Sequence, residues 1–354
     1  MLTMFRKNFR TIPLEQESFG RGIARAPPIL KAGQKFDGKK IFVLDEEGSL
    51  LLDFGKLAEM EGAISKKINS KFISNFLRTY KEFIQKFEKK SKSLGEKTEK
   101  KSLENLLDDL NNWMGYNELY VPYPMSTKFL PRIVEGKIRE HQHSYSPQEL
   151  EEIMIIDESP ALKLACDSLQ LYIDFKKGEV ESLKKFVKKY AGTGPGDIET
   201  PKYHNGETVT SLLKSAYSHL TVEEAEKELE SIRRTIKERR DKQKALLTKA
   251  SEDLRTLITF YWELQNMLDN EGAVWSRNCY YGYFPLLKKL AQELVSMDII
   301  VHPEDVFMIK QSELPLLGKT DLKKRIGKRK SKYCELARAR GVEHAEVALG
   351  GVIT

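Results

Sequence analysis

Apolar residues recur at intervals of three and four through most of this chain, and that spacing predicts helices. Ile64, Ile68, Phe72, Phe76 and Tyr80 fall at steps of four and predict one face of a long helix. The stretch LENLLDDLNNWMGY predicts another, and a Lys/Ser/Glu-rich tract from Ser91 to Lys101 between them reads as a loop or a frayed helix end. The aromatic, proline-broken ELYVPYPMSTKFLPRI predicts a turn region lying against a core. Ser146, Pro147 and Glu149 have the grammar of a capped helix start, and Ser159-Pro160 repeats it. Val180, Leu183, Phe186 and Val187 carry the next helical stripe, with a C-cap expected at Ala191-Gly192.

A capping box at Thr221 and Glu224 opens the longest stretch. Its seam runs through Leu229, Ile232 and Ile236, then from Leu247 to Leu268, with no glycine or proline before Gly272. A continuous helix over 221–268 is predicted, about 70 Å long at roughly 1.5 Å per residue. Its middle, KERRDKQK, is polar all round and predicts projection into solvent or a hairpin turn. The helix near Ile64 to Phe87 is the natural partner for its apolar seam. A helix carrying Leu286, Leu287, Leu290 and Leu294 stops near Met297; DIIVHPEDVFMI predicts a short loop and strand, and a last amphipathic helix follows.

The first sixty residues differ. Pro27 and Pro28 predict an extended arm, and two apolar runs around Asp45–Gly48 in KIFVLDEEGSLLLDF predict a β-hairpin. The expected fold is therefore mainly α: an elongated bundle of long antiparallel helices over 61–354, with a small N-terminal β-hairpin element in an arm over 1–60.

The 354 residues, 40% hydrophobic and 31% charged, suit a soluble protein rich in exposed helix. No apolar run approaches the length a bilayer requires, so no membrane partner is expected. MLTMFRKNFR has no apolar core of a signal peptide. Cys166, Cys279 and Cys334 lie far apart and form no C-x-x-C pair, which fits a reduced, cytoplasmic protein.

The net charge is +7, and much of the basic excess lies in Lys86–Ser102 and Lys323–Tyr333. Neither tract is interleaved with aromatic residues, so both read as solvated faces and nucleic acid is not an expected partner. His141 and His143 form H-x-H with no third ligand in view, so no metal site is expected. His302 reads as a capping or surface residue.

The stretch KKYAGTGPGDIETPKY, Lys188 to Tyr203, places three glycines and a proline within Gly192–Gly196, followed by two carboxylates. It lacks the Lys-Ser/Thr of a P-loop, and helix, not strand, precedes it, which excludes a dinucleotide fingerprint. Read by itself it is a helix end and a loop.

Two motifs give the chain a resemblance to the helical, substrate-binding middle region of phosphoenolpyruvate-synthase-like phosphotransferases, over roughly residues 60 to 345. The family often carries Y-G-x-R-G-P-G-E-I-[DE], then proline and an aromatic. Tyr190, Gly194, Pro195, Gly196, Asp197, Ile198, Glu199, Pro201 and Tyr203 are similar to it. The second pattern, G-x-[IL]-x-x-x-[ED]-D-[VI]-F-x-[IL]-x-x-x-E-L, resembles MDIIVHPEDVFMIKQSEL, with Met297 or Asp298 where glycine is usual, and a basic helix like KRIGKRKSKY follows.

The resemblance implies a substrate cleft in which Asp197 and Glu199 act on a substrate hydroxyl during phosphoryl transfer. Gly194 and Gly196 would line it, and His204, Arg277 and Tyr281 would bind substrate. Arg277 answers to the first arginine of an R-E-x-x-R element and Tyr281 stands at the second; the glycine-loop arginine falls on Thr193. The family's ATP-grasp and swivelling phosphohistidine domains have no counterpart in this sequence. The resemblance thus implies one component of a split enzyme: it would bind no cofactor alone, while partner chains with those domains would bind ATP and Mg, and its small-molecule substrate is unknown. The alternative is a helical binding or scaffold protein that has lost the chemistry.

Overall fold

The computed structural model describes residues 3–4, 42–44, 50–52 and 61–339, the last apart from 97, 128, 142–144, 157–159, 191–205 and 319–320. The turn of the expected N-terminal hairpin, Asp45–Gly48, and the C-cap at Ala191-Gly192 lie outside the described residues; of the arm only short backbone stretches are described, Phe42–Leu44 lying antiparallel to Leu50–Leu52. Those described are mainly α-helical: α1 (Ser70–Gly95), α2 (Leu103–Tyr120), α3 (Pro122–Thr127), α4 (Leu130–Arg139), α5 (Pro147–Met154), α6 (Pro160–Lys176), α7 (Val180–Tyr190), α8 (Gly206–Tyr217), α9 (Val222–Thr248), α10 (Glu252–Asn278), α11 (Phe284–Ser296) and α12 (Leu322–Ala339).

The expected long first helix is broken. Residues 61–65 make one helical turn, then Asn69 adopts an extended conformation and its side chain accepts a hydrogen bond from Phe72 N–H, starting α1. Ile64 and Ile68 stay in the same core as Phe76 and Tyr80, so the apolar spacing continued across a break. At its other end α1 runs on through the tract read as loop or frayed end, to Gly95, because Ser91 and Leu94 are buried there. The proline-broken segment after α2 is also helical: its prolines stand at helix starts, where no N–H is needed, in α3 and α4.

The long helix expected over 221–268 is two helices. Its capping box is present, with Thr221 Oγ accepting from Glu224 N–H at 3.2 Å. The chain breaks at 249–251, where Ser251 turns extended and its Oγ accepts from Leu254 N–H to start α10. Arg255 caps the end of α9, donating from Nε to the Ala250 carbonyl at 3.0 Å. The polar KERRDKQK tract sits within α9 and makes no hairpin. Gln243 in it is buried and donates to the carbonyls of Glu152 and Ile155, closing the end of α5.

Three apolar cores follow along the molecule. The first joins α1, α4, α5, the end of α9 and α10 through residues such as Phe76, Val134, Ile153 and Phe260. The second joins the end of α1 to α2, α11 and the C-terminal segments through Phe87, Trp113, Tyr283, Leu290 and Met308. The third holds α6, α7, α8 and the start of α9 around Tyr172, Phe186, Val209 and Leu229. As expected, α1 is a partner of α10, with Phe76 and Phe260 rings 5.8 Å apart. The two helices run parallel, however: Lys81 meets Glu263, Glu88 meets Arg277 and Ser91 meets Gly282, in rising order on both. The antiparallel arrangement holds for α2 against α10 and for α9 against α6, where Lys177 meets Glu226 and Arg233 meets Gln170. Parallel packing of α1 and α10 is possible because eight helices, α2 to α9, intervene in the chain.

Between α10 and α11 lies one π-helical turn, Cys279–Tyr283, where Phe284 N–H bonds to the Cys279 carbonyl five residues back. Pro285 explains it: proline has no N–H to give to Tyr281, and its ring forces room into the previous turn. The segment expected as loop and strand holds a 3₁₀ turn, Pro303–Met308, and a second such turn, Gln311–Leu316, follows it. Val306, Phe307, Met308 and Ile309 are consecutive and all buried, so their apolar run marked burial on every side and not strand pairing.

Candidate functional site

Of the residues proposed for a site, Gly194, Gly196, Asp197, Glu199 and His204 lie outside the described residues, as does His143 of the H-x-H pair. Arg277 and Tyr281 are described, one turn apart at the end of α10 and in the π turn, and both face α1. Arg277 donates from Nε and Nη2 to one carboxylate oxygen of Glu88, at 3.1 and 2.9 Å. Both groups are about one-quarter to one-third exposed, at 26% and 32%. The guanidinium is thus committed to a carboxylate within the fold. Lys92 sits 5.0 Å from the centre of the Tyr281 ring.

Behind this pair the wall is aromatic. The Tyr120 hydroxyl donates to the Glu271 carbonyl at 2.9 Å, and its ring stacks on Trp275. Burial pushes the Tyr80 and Tyr120 phenols well above their ordinary value, and the Glu271 carboxylate adds to both shifts. Burial also raises Tyr123 to about 12. The Tyr281 phenol is raised too, by burial and by neighbouring Tyr280. These hydroxyls therefore keep their protons at neutral pH and serve as hydrogen-bond donors, not as bases.

Sequence reasoning missed how closely α1 meets the π turn. A β-carbon on Gly282 would stand 2.9 Å from the Ser91 carbonyl oxygen, so this crossing requires glycine. It also missed buried polar residues in α2 and at the end of α10. Asn117 is fully buried with neither amide atom hydrogen-bonded, and Asn278 bonds to the Val274 carbonyl through its nitrogen alone. Each unmet group costs about 1–3 kcal/mol.

The second motif is structural in its effect. Asp298 has φ +55°, the left-handed conformation that favours glycine, and of the two candidate positions it is the one that takes it. Its N–H bonds to the Val295 carbonyl and that of Ile299 to Leu294, a Schellman close to α11. His302 is exposed, and its backbone N–H is capped by Asp305 at 3.0 Å. Glu313 is buried and accepts from Lys310 N–H, from Arg325 and twice from Arg329. Burial by itself would raise its carboxyl, but the Arg329, Lys310 and Arg325 hydrogen bonds win and hold it at about 2. Glu313 thereby clamps α12 to the second core.

Two open grooves indent the described surface. One, of about 610 Å³, lies between α7 and α8, the helices that the glycine-rich stretch connects, and includes Leu183, Glu207, Thr210 and Lys214. The other, about 330 Å³, lies between residues 61–65 and α4, where Arg132 pairs with Glu61. No cluster of three metal-ligating side chains and no helix long and apolar enough to cross a membrane occurs among the described residues. No family model, curated protein or solved structure matches the chain.

Proposed function

We propose that this chain is a helical binding protein, not catalytic alone, built like the substrate-binding region of phosphoenolpyruvate-synthase-like phosphotransferases. The observation that carries the reading is Arg277: the cation needed to meet an incoming phosphoryl or carboxylate group is already held by Glu88 through two hydrogen bonds. A substrate anion would have to displace an internal carboxylate from it.

The second reading is the substrate-binding component of a split dikinase-type enzyme, its ATP and Mg held by partner chains. The ordered pair of motifs favours it, with Asp197 and Glu199 set beside the groove-forming helices α7 and α8 in sequence. In that case one carboxylate takes the substrate hydroxyl proton as phosphate arrives.

Affinity purification from the native cells, at low and moderate salt, separates the two. The binding-protein reading expects partners whose retention survives Asp197→Asn, and neither an ATP-grasp nor a phosphohistidine chain among them. Recovery of both such chains, with phosphate transfer in the reconstituted mixture that Asp197→Asn abolishes, would replace it with the split enzyme.

A further inference from the structure

The tract Lys86–Ser102 starts within a helix in the folded protein. Its first half is the last three turns of α1, which orders its lysines. Residues 71–101 hold ten Lys and Arg against four Glu, a net of +6 where the whole chain carries +7. Lys86, Lys89 and Lys92 are exposed and spaced three apart, spanning about 9 Å of helix axis at 1.5 Å per residue. Together with half-buried Lys90, they have no ion-pair partner among the described residues, while Lys81 and Lys101 on either side pair with Glu263 and Asp109.

The fold also supplies what the linear sequence lacked, aromatic rings beside the charges. Tyr116 of α2 lies along one edge of this face, its ring 6.0 Å from Lys86 Nζ, and Tyr281 of the π turn lies along the other, 5.0 Å from Lys92 Nζ. Both rings are half-buried, with the Tyr280 ring 5.1 Å from that of Tyr281. The other basic tract is different: Lys323, Arg325, Arg329 and Lys330 of α12 are taken up by Asp298, Glu313 and Asp305.

We propose that the exposed face of α1 at Lys86, Lys89 and Lys92, edged by Tyr116 and Tyr281, binds single-stranded nucleic acid. Unpaired lysines one helical turn apart follow a phosphate backbone, and rings at the edges offer faces on which unpaired bases stack. An acidic protein segment would use the lysines and leave the rings idle; a duplex would keep its bases from them. The reading shares Tyr281 with the substrate residues considered above, but Lys86, Lys89, Lys92 and Tyr116 lie outside them, so variants at those four test it apart from the proposed function.

The test is fluorescence anisotropy of a labelled 20-nucleotide oligo-U with the full chain at 50 and 200 mM KCl. With three lysines releasing counterions, log affinity falls against log salt with a slope of about −2, roughly a 20-fold loss over that range. Lys86→Gln, Lys89→Gln and Lys92→Gln together are expected to weaken binding at least about tenfold at 50 mM and to flatten the slope. Tyr116→Leu is expected to weaken it several-fold at unchanged slope, and Lys324→Gln with Lys328→Gln to leave it as it was. No binding at 50 mM, a triple variant that binds like the parent, or a labelled polyglutamate that binds as tightly with no response to Tyr116→Leu would each overturn the proposal; the last would assign the face to acidic proteins.

Discussion

Gly95 of α1 lies against the main chain of Tyr281 so closely that a β-carbon on it would stand 1.8 Å from the Tyr281 carbonyl oxygen. The cause lies four residues on: Pro285 cannot donate to that carbonyl, and the π turn it forces presents the oxygen to the neighbouring helix. The small side chain of Ser91 and the absence of one at Gly282 then let the two backbones meet.

Gly95→Ala should therefore destabilise the protein by about 1–3 kcal/mol, because backbone must move to admit one methyl. Gly115 in the middle of α2 has nothing within 4 Å of an added β-carbon. Gly115→Ala should stabilise by up to about 1 kcal/mol through helix propensity. Urea denaturation of both variants checks the pair; equal effects would mean that the crossing is looser than described.

Glu313 sets an acid limit on the C-terminal segment. Its carboxyl is held at about 2 in the folded chain, below its ordinary value near 4.5. A depressed folded pKa gives stability that is full above the unfolded pKa and is lost as pH falls through the folded one. Melting temperature should drop between about pH 5 and pH 2, and Glu313→Gln should flatten that drop while costing about 2 kcal/mol at pH 7. A Gln variant with the parent's pH profile would assign the acid sensitivity elsewhere.

Asp298 sits where the backbone asks for glycine. Its side chain is 90% exposed, and its ion pair with Lys323 is a surface pair worth about 0–1 kcal/mol. The left-handed conformation costs a non-glycine residue about 1–2 kcal/mol. Asp298→Gly should thus raise stability by about 0.5–1 kcal/mol, and Asp298→Ala should lower it. Thermal melts of the two variants decide it; a loss with glycine would show the Lys323 pair to be the stronger term.

Ser251 starts α10, and its hydroxyl accepts from Leu254 N–H at 3.3 Å. Ser251→Ala should cost about 1 kcal/mol, and Ser251→Gly only a few tenths. Loss of the same size in both would point to backbone geometry in place of the cap.

These residues also mark what could be read in the sequence. Helices with a capping signature were legible: Ser146 with Glu149 and Thr221 with Glu224 cap where expected. Ser251-Glu252-Asp253 carried a similar signal, but an unbroken apolar seam from Leu247 to Leu268 masked it, since a core accepts side chains from both sides of a break. The parallel course of α1 and α10 was not legible, because side-chain period records which face is buried and not the direction of the neighbour. The same holds for Arg277: its position was legible, but Glu88 lies 189 residues away and nothing local announced it. At the candidate site, Gly194, Gly196, Asp197, Glu199 and His204 keep the standing of a sequence motif.

Helix α9 enters the third core at Ala225 and Leu229 and the first at Gln243 and Leu246, with thirteen residues of mostly exposed helix between Leu229 and Gln243. That span lies beside α6, antiparallel to it, with Arg233 donating to Gln170, so the two helices carry the connection together. Force applied at α7 or α8 would reach the α5 end as torque along this helix pair. Hydrogen exchange through this span would then report on how tightly the two ends turn together, and an occupant of the α7–α8 groove would register there first.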